Sequence, residues 1–245
     1  MKALLVQPAD QTAVEIEALL SECRTVSTTL AHSFSDGLNR IESDPQIEII
    51  FVDASVKNSH GQTFAEYLKR LERFFWLPIV VTSKKWTAES VQAAIQSGAT
   101  DIMALPIEPG KFITRVRQLL SQGAPRILVV DDEEGIRDIL QQILELERFR
   151  VITASRGDEA MGLIKNQKID LVVTDIMMPG MSGLDLLGSV KSQYPDIPVI
   201  LITGYPGNYS THDTIAAGAD GYFSKPFHNM ALLSTVRKVL RRKRG

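Results

Sequence analysis

The sequence has little of what marks a secreted or membrane-spanning chain. Cys23 is its only cysteine, so neither an intramolecular disulfide nor a cysteine-built zinc cluster can form. No apolar run approaches the roughly 20 residues that cross a bilayer. After Lys2 the N-terminus has only the four-residue apolar run 3–6, too short for the core of a secretory signal. A cytoplasmic location without membrane contact is the expectation. Neither sign of charge dominates: a formal net charge of -2 gives no whole-chain attraction to nucleic acid or to an anionic membrane. His32, His60, His212 and His228 share no metal-ligand spacing and read as surface residues. What remains is a globular composition, 44% hydrophobic and 23% charged, over 245 residues, enough for two domains of ordinary size.

The chain reads as two similar halves. Short apolar runs, fit for strands buried on both faces of a parallel sheet, alternate with helically spaced segments. In the second half Ile127–Val130, Val151–Thr153, Leu171–Thr174, Val199–Thr203 and Gly221–Phe223 are predicted strands. Predicted helices there are a segment carrying Ile136, Ile139, Leu140, Ile143 and Leu144, then Asp158–Lys165, Leu184–Ser192, Thr211–Ala217 and Asn229–Arg241. The first half repeats the order, with predicted strands Ala3–Val6, Thr25–Thr28, Ile49–Val52, Ile79–Thr82 and Asp101–Ala104. Its predicted helices are Ala13–Leu20, Ser35–Ile41, Phe64–Phe74, Thr87–Gln96 and Pro109–Leu119. Leu4 matches Leu128, Asp53 matches Asp175, Pro78 matches Pro198 and Pro106 matches Pro226, an offset drifting only from 124 to 120. A repeat of that length implies a duplicated fold. Each half is therefore expected to be a flavodoxin-like (βα)5 doubly wound α/β sandwich, over residues 1–121 and 126–245, with 122–125 as linker.

In such sheets ligands collect at the C-terminal strand ends. There the second half carries Asp131, Asp132, Asp175, Thr203 and Lys225. Clustered carboxylates repel unless a cation joins them, and hard oxygens favour Mg²⁺. A carboxylate beside such an ion can act as the nucleophile that accepts a phosphoryl group. Singly, each residue has a duller explanation: an acidic helix start at Asp131-Asp132-Glu133-Glu134, a turn at Asp175, a solvated Lys225, a sheet aromatic at Tyr222.

Taken in order, Asp131-Asp132, Asp175-Ile-Met-Met-Pro-Gly-Met-Ser-Gly183, Thr203-Gly204 and Tyr222-Phe-Ser-Lys225-Pro226-Phe227 resemble the receiver domains of two-component response regulators. The resemblance implies Asp175 as phosphoacceptor, with a histidine kinase or histidine phosphotransfer protein as donor. It implies Mg²⁺ held by Asp132, Asp175 and the backbone carbonyl of Met177, with Asp131 acting mostly through water. It gives Lys225 and Thr203 contacts to the phosphoryl oxygens, Tyr222 an inward swing, and Lys225-Pro226 a cis peptide. The fourth helix, fifth strand and fifth helix would then form a face that switches contacts with a downstream protein or a second copy, a signalling switch rather than an enzyme.

The first half keeps Asp53 but has Gln7 and Pro8 for the acidic pair, Ser83 for Thr203, Ile102 for Tyr222 and Leu105 for Lys225. It is expected to be a degenerate receiver. The basic residues Arg237, Lys238 and Arg241–Arg244 complement a helix C-terminus, and no aromatic interleaves them as in a nucleic-acid surface. Two alternatives stand beside the free-standing switch. One is the N-terminal receiver pair of a longer protein, a cyclic-dinucleotide enzyme, kinase or transcription factor. The other is a haloacid-dehalogenase-type phosphatase, against which Met177 stands where that family has a second aspartate.

Overall fold

The computed structural model describes residues 1–8, 11–22, 26–204 and 217–244. They divide into two compact units, Met1–Gly123 and Ala124–Gly245.

The first unit has strands β1 (Lys2–Val6), β2 (Ser27–Ala31), β3 (Ile47–Asp53), β4 (Ile79–Ser83) and β5 (Asp101–Ala104). Its helices are α1 (Gln11–Glu22), α2 (Phe34–Ser43), α3 (Phe64–Arg70), α4 (Ala88–Gln96) and α5 (Pro109–Gln122). The second has β6 (Arg126–Val130), β7 (Arg150–Ala154), β8 (Leu171–Asp175), β9 (Val199–Thr203) and β10 (Gly221–Ser224). Its described helices are α6 (Glu134–Leu146), α7 (Gly157–Asn166), α8 (Gly183–Gln193) and α9 (Asn229–Arg244). Each unit builds one parallel five-stranded sheet, ordered β2-β1-β3-β4-β5 and β7-β6-β8-β9-β10. Both are the flavodoxin-like α/β order, with a switch point between the first and third strands.

Burial explains the strand runs. All of β8 and β9 is buried, and Ile127–Val130 has no exposed surface, because helices cover both sheet faces. Helix starts are set by side-chain caps: Ser182 and Asp185 form a capping box before α8, and the Thr63 hydroxyl accepts the Glu66 N–H before α3.

Some boundaries move from the sequence reading. The edge strand expected at Thr25–Thr28 lies at Ser27–Ala31, pairing Ser27 with Lys2. The single helix expected over Phe64–Phe74 ends at Arg70, where Leu71 turns extended and a 3₁₀ turn, Glu72–Phe74, brings Phe74 into the core. Helix α5 runs through Gln122, the first residue of the expected linker. Ile139 is 54% exposed, so the apolar stripe expected on α6 is only partly a core face. Of the helix expected at Thr211–Ala217, residues 211–216 lie outside the described residues, as do Cys23, Thr25 and His212.

Candidate functional site: the strand-end crest of the second unit

Strand β6 ends by delivering Asp131, whose N–H bonds the Ala154 carbonyl at 3.2 Å. Strand β8 ends on Asp175, opposite Ile202 of β9. Thr203 closes β9, buried, and its carbonyl accepts the Lys225 N–H at 2.6 Å. The Lys225-Pro226 peptide is cis.

Lys225 joins these strands. Its Nζ lies 2.8 Å from Asp131 Oδ2, 2.8 Å from Asp175 Oδ1 and 3.9 Å from Glu133 Oε1. The other carboxylate oxygens take backbone donors: Asp131 Oδ1 accepts the Glu133 N–H at 3.0 Å, and Asp175 Oδ2 accepts the Met177 N–H at 2.6 Å. Burial drives the Asp131 pKa above the ordinary 3.8, helped by the Asp175 charge, although Lys225 and the Glu133 N–H oppose it. Burial alone would lower Lys225, but Asp131 and Asp175 raise it above 10.5. The site thus holds a fixed ammonium between two buried acids, with Asp132 exposed beside them.

Of the residues marked by sequence, the structure brings Asp131, Asp175 and Lys225 into direct contact. Thr203 stands one residue beyond the position facing Asp175, and Tyr222 is paired with Leu201 and packed against the apolar core. Three further contributors escaped the sequence reading as site residues. Arg137 donates to the Asp131 and Asp132 carbonyls at 2.7 and 3.0 Å, pinning the acidic turn. Glu133 looked like a helix-start acid. Gly183 lies so close under Asp175 that an added Cβ would sit 2.0 Å from the Asp175 carbonyl oxygen. Its place at the end of the quoted motif was the available signal.

Among the described residues no three His, Cys, Asp or Glu side chains close around one point as a metal cage. Mg²⁺ needs no such cage, since it keeps several waters and takes one or two carboxylates. The buried Asp131 and Asp175 oxygens with exposed Asp132 fit such an ion.

The first unit places its counterparts in the same backbone frame. The Gln7 N–H bonds the Ala31 carbonyl, the Leu105 N–H bonds the Ser83 carbonyl, and Leu105-Pro106 is also cis. The chemistry differs. Gln7 is wholly buried and its Nε2 donates to the Thr82 hydroxyl at 3.1 Å, while Asp53 Oδ1 accepts the N–H and hydroxyl of Ser55 at 2.8 and 2.5 Å.

A doubly wound parallel unit whose strand ends clamp a lysine between two buried aspartates defines a class of acidic, cation-bridged α/β sites. The comparisons name its family: residues 127–237 match the response regulator receiver domain, and this part of the chain is such a domain. The transcriptional regulatory protein YvrH of Bacillus subtilis is 37% identical over 117 residues, covering 47% of this chain and 49% of the relative. The response regulator SaeR of Staphylococcus aureus is 40% identical over 116 residues, covering 47% and 50%. The chain thus spans about half the length of the curated relatives it matches. Among solved structures, the response regulator TrrA of Thermotoga maritima in complex with Mg(2+)-BeF is 39% identical. That likeness covers 47% of this chain and 98% of that one, with a TM-score of 0.44. No helix among the described residues is long and apolar enough to cross a membrane.

Proposed function

We propose that Asp175 is the phosphoacceptor of a phosphorelay switch and that residues 1–121 are a degenerate receiver that does not share this chemistry. The carrying observation is the Lys225 ammonium held 2.8 Å from both Asp131 and Asp175. A carboxylate oxygen of Asp175 attacks phosphorus as the phosphorus–nitrogen bond of a donor phosphohistidine breaks. The imidazole leaves and an acyl phosphate forms. Such transfer depends on positioning and charge neutralisation more than on covalent help. The Met177 N–H and Lys225 orient the acceptor carboxylate. Asp132, Asp175 and the Met177 carbonyl would hold Mg²⁺, with Asp131 acting through water. The ion supplies neutralisation of the phosphoryl oxygens.

After transfer, Lys225 pairs with phosphoryl oxygens instead of the free carboxylate, and the Thr203 hydroxyl gains an acceptor. Tyr222 follows Thr203 inward. These contacts exist in one state only, so they bias a two-state surface. That surface includes β10 and α9, and it engages a downstream protein or a second copy. The donor is a histidine kinase or a histidine phosphotransfer protein.

Borohydride trapping of acetyl-phosphate-treated protein, followed by mass spectrometry, tests the assignment. Reduction at residue 175 alone is expected; reduction at Asp53, or none in Mg²⁺, rejects it. A second reading has the two units precede an output domain. The half-length coverage of the curated relatives favours it, and the length of the complete open reading frame decides it.

A further inference from the structure

The strand-end crest of the first unit encloses a cavity of about 190 Å³ between β3, β4, α3 and α4. Two features distinguish this crest from that of the second unit. Phe64 starts α3, the position that Gly183 holds in α8, and the connection from Asp53 to the cap at Thr63 is three residues longer than that from Asp175 to Ser182. The extra length folds as a turn closed by a Lys57–Thr63 bridge and ordered by Asn58, whose side-chain oxygen accepts the His60 and Gln62 N–H groups at 3.0 Å. The side of α4 that meets the cavity carries Ser90, Ala93 and Ala94, with Ser97 at its C-cap, all too short to fill it.

The hydroxyls around the cavity are already bonded locally. Ser90 donates to the Thr87 carbonyl at 3.0 Å, Ser97 to the Ala94 carbonyl at 2.7 Å and Ser83 to the Lys85 carbonyl at 2.9 Å. The Thr63 hydroxyl accepts the Glu66 N–H. Val52, Val81, Phe64 and Trp86 supply apolar wall, and the indole N–H donates to the Met103 carbonyl at 2.9 Å, fixing the ring. Two charges remain, Asp53 and Lys57. Ser55 bonds only the Oδ1 oxygen of Asp53, and among the described residues no ion pair engages Asp53 or Lys57.

We infer that this cavity binds a small amphipathic zwitterion, an amino acid with an apolar side chain. Its ammonium pairs with Asp53, its carboxylate with Lys57, and its side chain enters the apolar walls. The size suits a ring or a branched chain, since an apolar cavity of about 150 Å³ accepts benzene. Opposite charges at one apolar cavity select against a simple amine and a simple carboxylate, each of which leaves one charge without a partner. The first unit then carries an input separate from phosphorylation.

The test titrates the full chain with L-phenylalanine, L-leucine, phenethylamine and 3-phenylpropionate, read by tryptophan fluorescence and ligand-observed saturation-transfer NMR. An amino acid is expected to saturate at about 1 mM or below and to bind more tightly than the amine or the acid. Asp53→Asn and Lys57→Gln should each weaken it by about tenfold, the loss of one charged hydrogen bond. Ala94→Leu, which fills the cavity and keeps both charges, should abolish it, with circular dichroism verifying the fold. Asp175→Asn should leave it unchanged, so this proposal can fail while the phosphoacceptor stands. Saturation by none of the four probes, tighter binding of amine or acid, or binding that survives Ala94→Leu overturns it.

Discussion

Gln7 and Asp131 directly follow the first strands of their units, both buried and both with the backbone N–H bonded to the neighbouring strand. Around them the units diverge. Asp131 faces the ammonium of Lys225, while Gln7 faces the hydroxyl of Thr82. Each polar group has the partner its charge requires: a buried carboxylate needs a cation, and a buried amide is satisfied by a neutral hydroxyl. Losing the lysine position, Leu105 in the first unit, therefore goes with losing the acid. The same fold supports either arrangement, and only the charged one holds buried carboxylates beside a cation.

The largest expected effect separates the units outright. Asp175→Asn should abolish Mg²⁺-dependent labelling by acetyl phosphate on a Phos-tag gel, and Asp53→Asn should leave it intact. A shifted band that persists in Asp175→Asn and vanishes in Asp53→Asn would reverse the assignment of the two sites.

Removing the bridging cation comes next. Lys225→Met should destabilise the second unit by about 2–3 kcal/mol, below the usual cost of breaking a buried pair because the lysine retains some solvent. Leu105→Met should cost under about 1.5 kcal/mol in the first. Both tryptophans, Trp76 and Trp86, lie in the first unit, so fluorescence follows that unit and circular dichroism follows both through a denaturant titration. Equal losses would mean that the bridge contributes little.

Gln7→Asp converts the neutral crest halfway. A buried carboxylate facing Thr82 without a cation should cost about 1–3 kcal/mol at pH 7, with Leu105→Lys recovering much of it in the double variant. Strict additivity of the two changes would break the comparison.

Gly183→Ala should cost about 1–3 kcal/mol through overpacking and slow phosphorylation, because the new Cβ has no room beside the Asp175 carbonyl. Wild-type phosphorylation kinetics in that variant would remove Gly183 from the site.

The smallest effect is in pH dependence. The folded pKa of Asp131 is raised, so its contribution to stability is full below 3.8 and is lost as pH rises through the folded value. Asp131→Asn should therefore flatten the second unit's stability profile above pH 4. Lys225 is raised too, and its contribution persists until pH passes 10.5. Denaturant midpoints across pH, in wild type and Asp131→Asn, measure both limits.

Much of the second unit was legible because its site residues lie at strand ends in a fixed order, and strand runs such as Val199–Ile202 are apolar throughout. Arg137 was not legible, since its role is to reach backbone carbonyls, and any exposed helix can carry an arginine. The edge strand β2 was misplaced by a few residues because its partly buried positions give a weak pattern. The break after Arg70 was missed because Phe74 continues the apolar spacing by a different backbone route.

The sequence by itself determined the duplication, the α/β alternation and the acidic residues with their lysine, since all of these are carried by residue type and spacing along the chain. Tertiary structure alone decided that one ammonium meets both Asp131 and Asp175, that Gly183 must lack a side chain, and that small residues of α4 leave a cavity beside Asp53. These depend on distances between segments far apart in sequence, which packing fixes and local pattern does not encode.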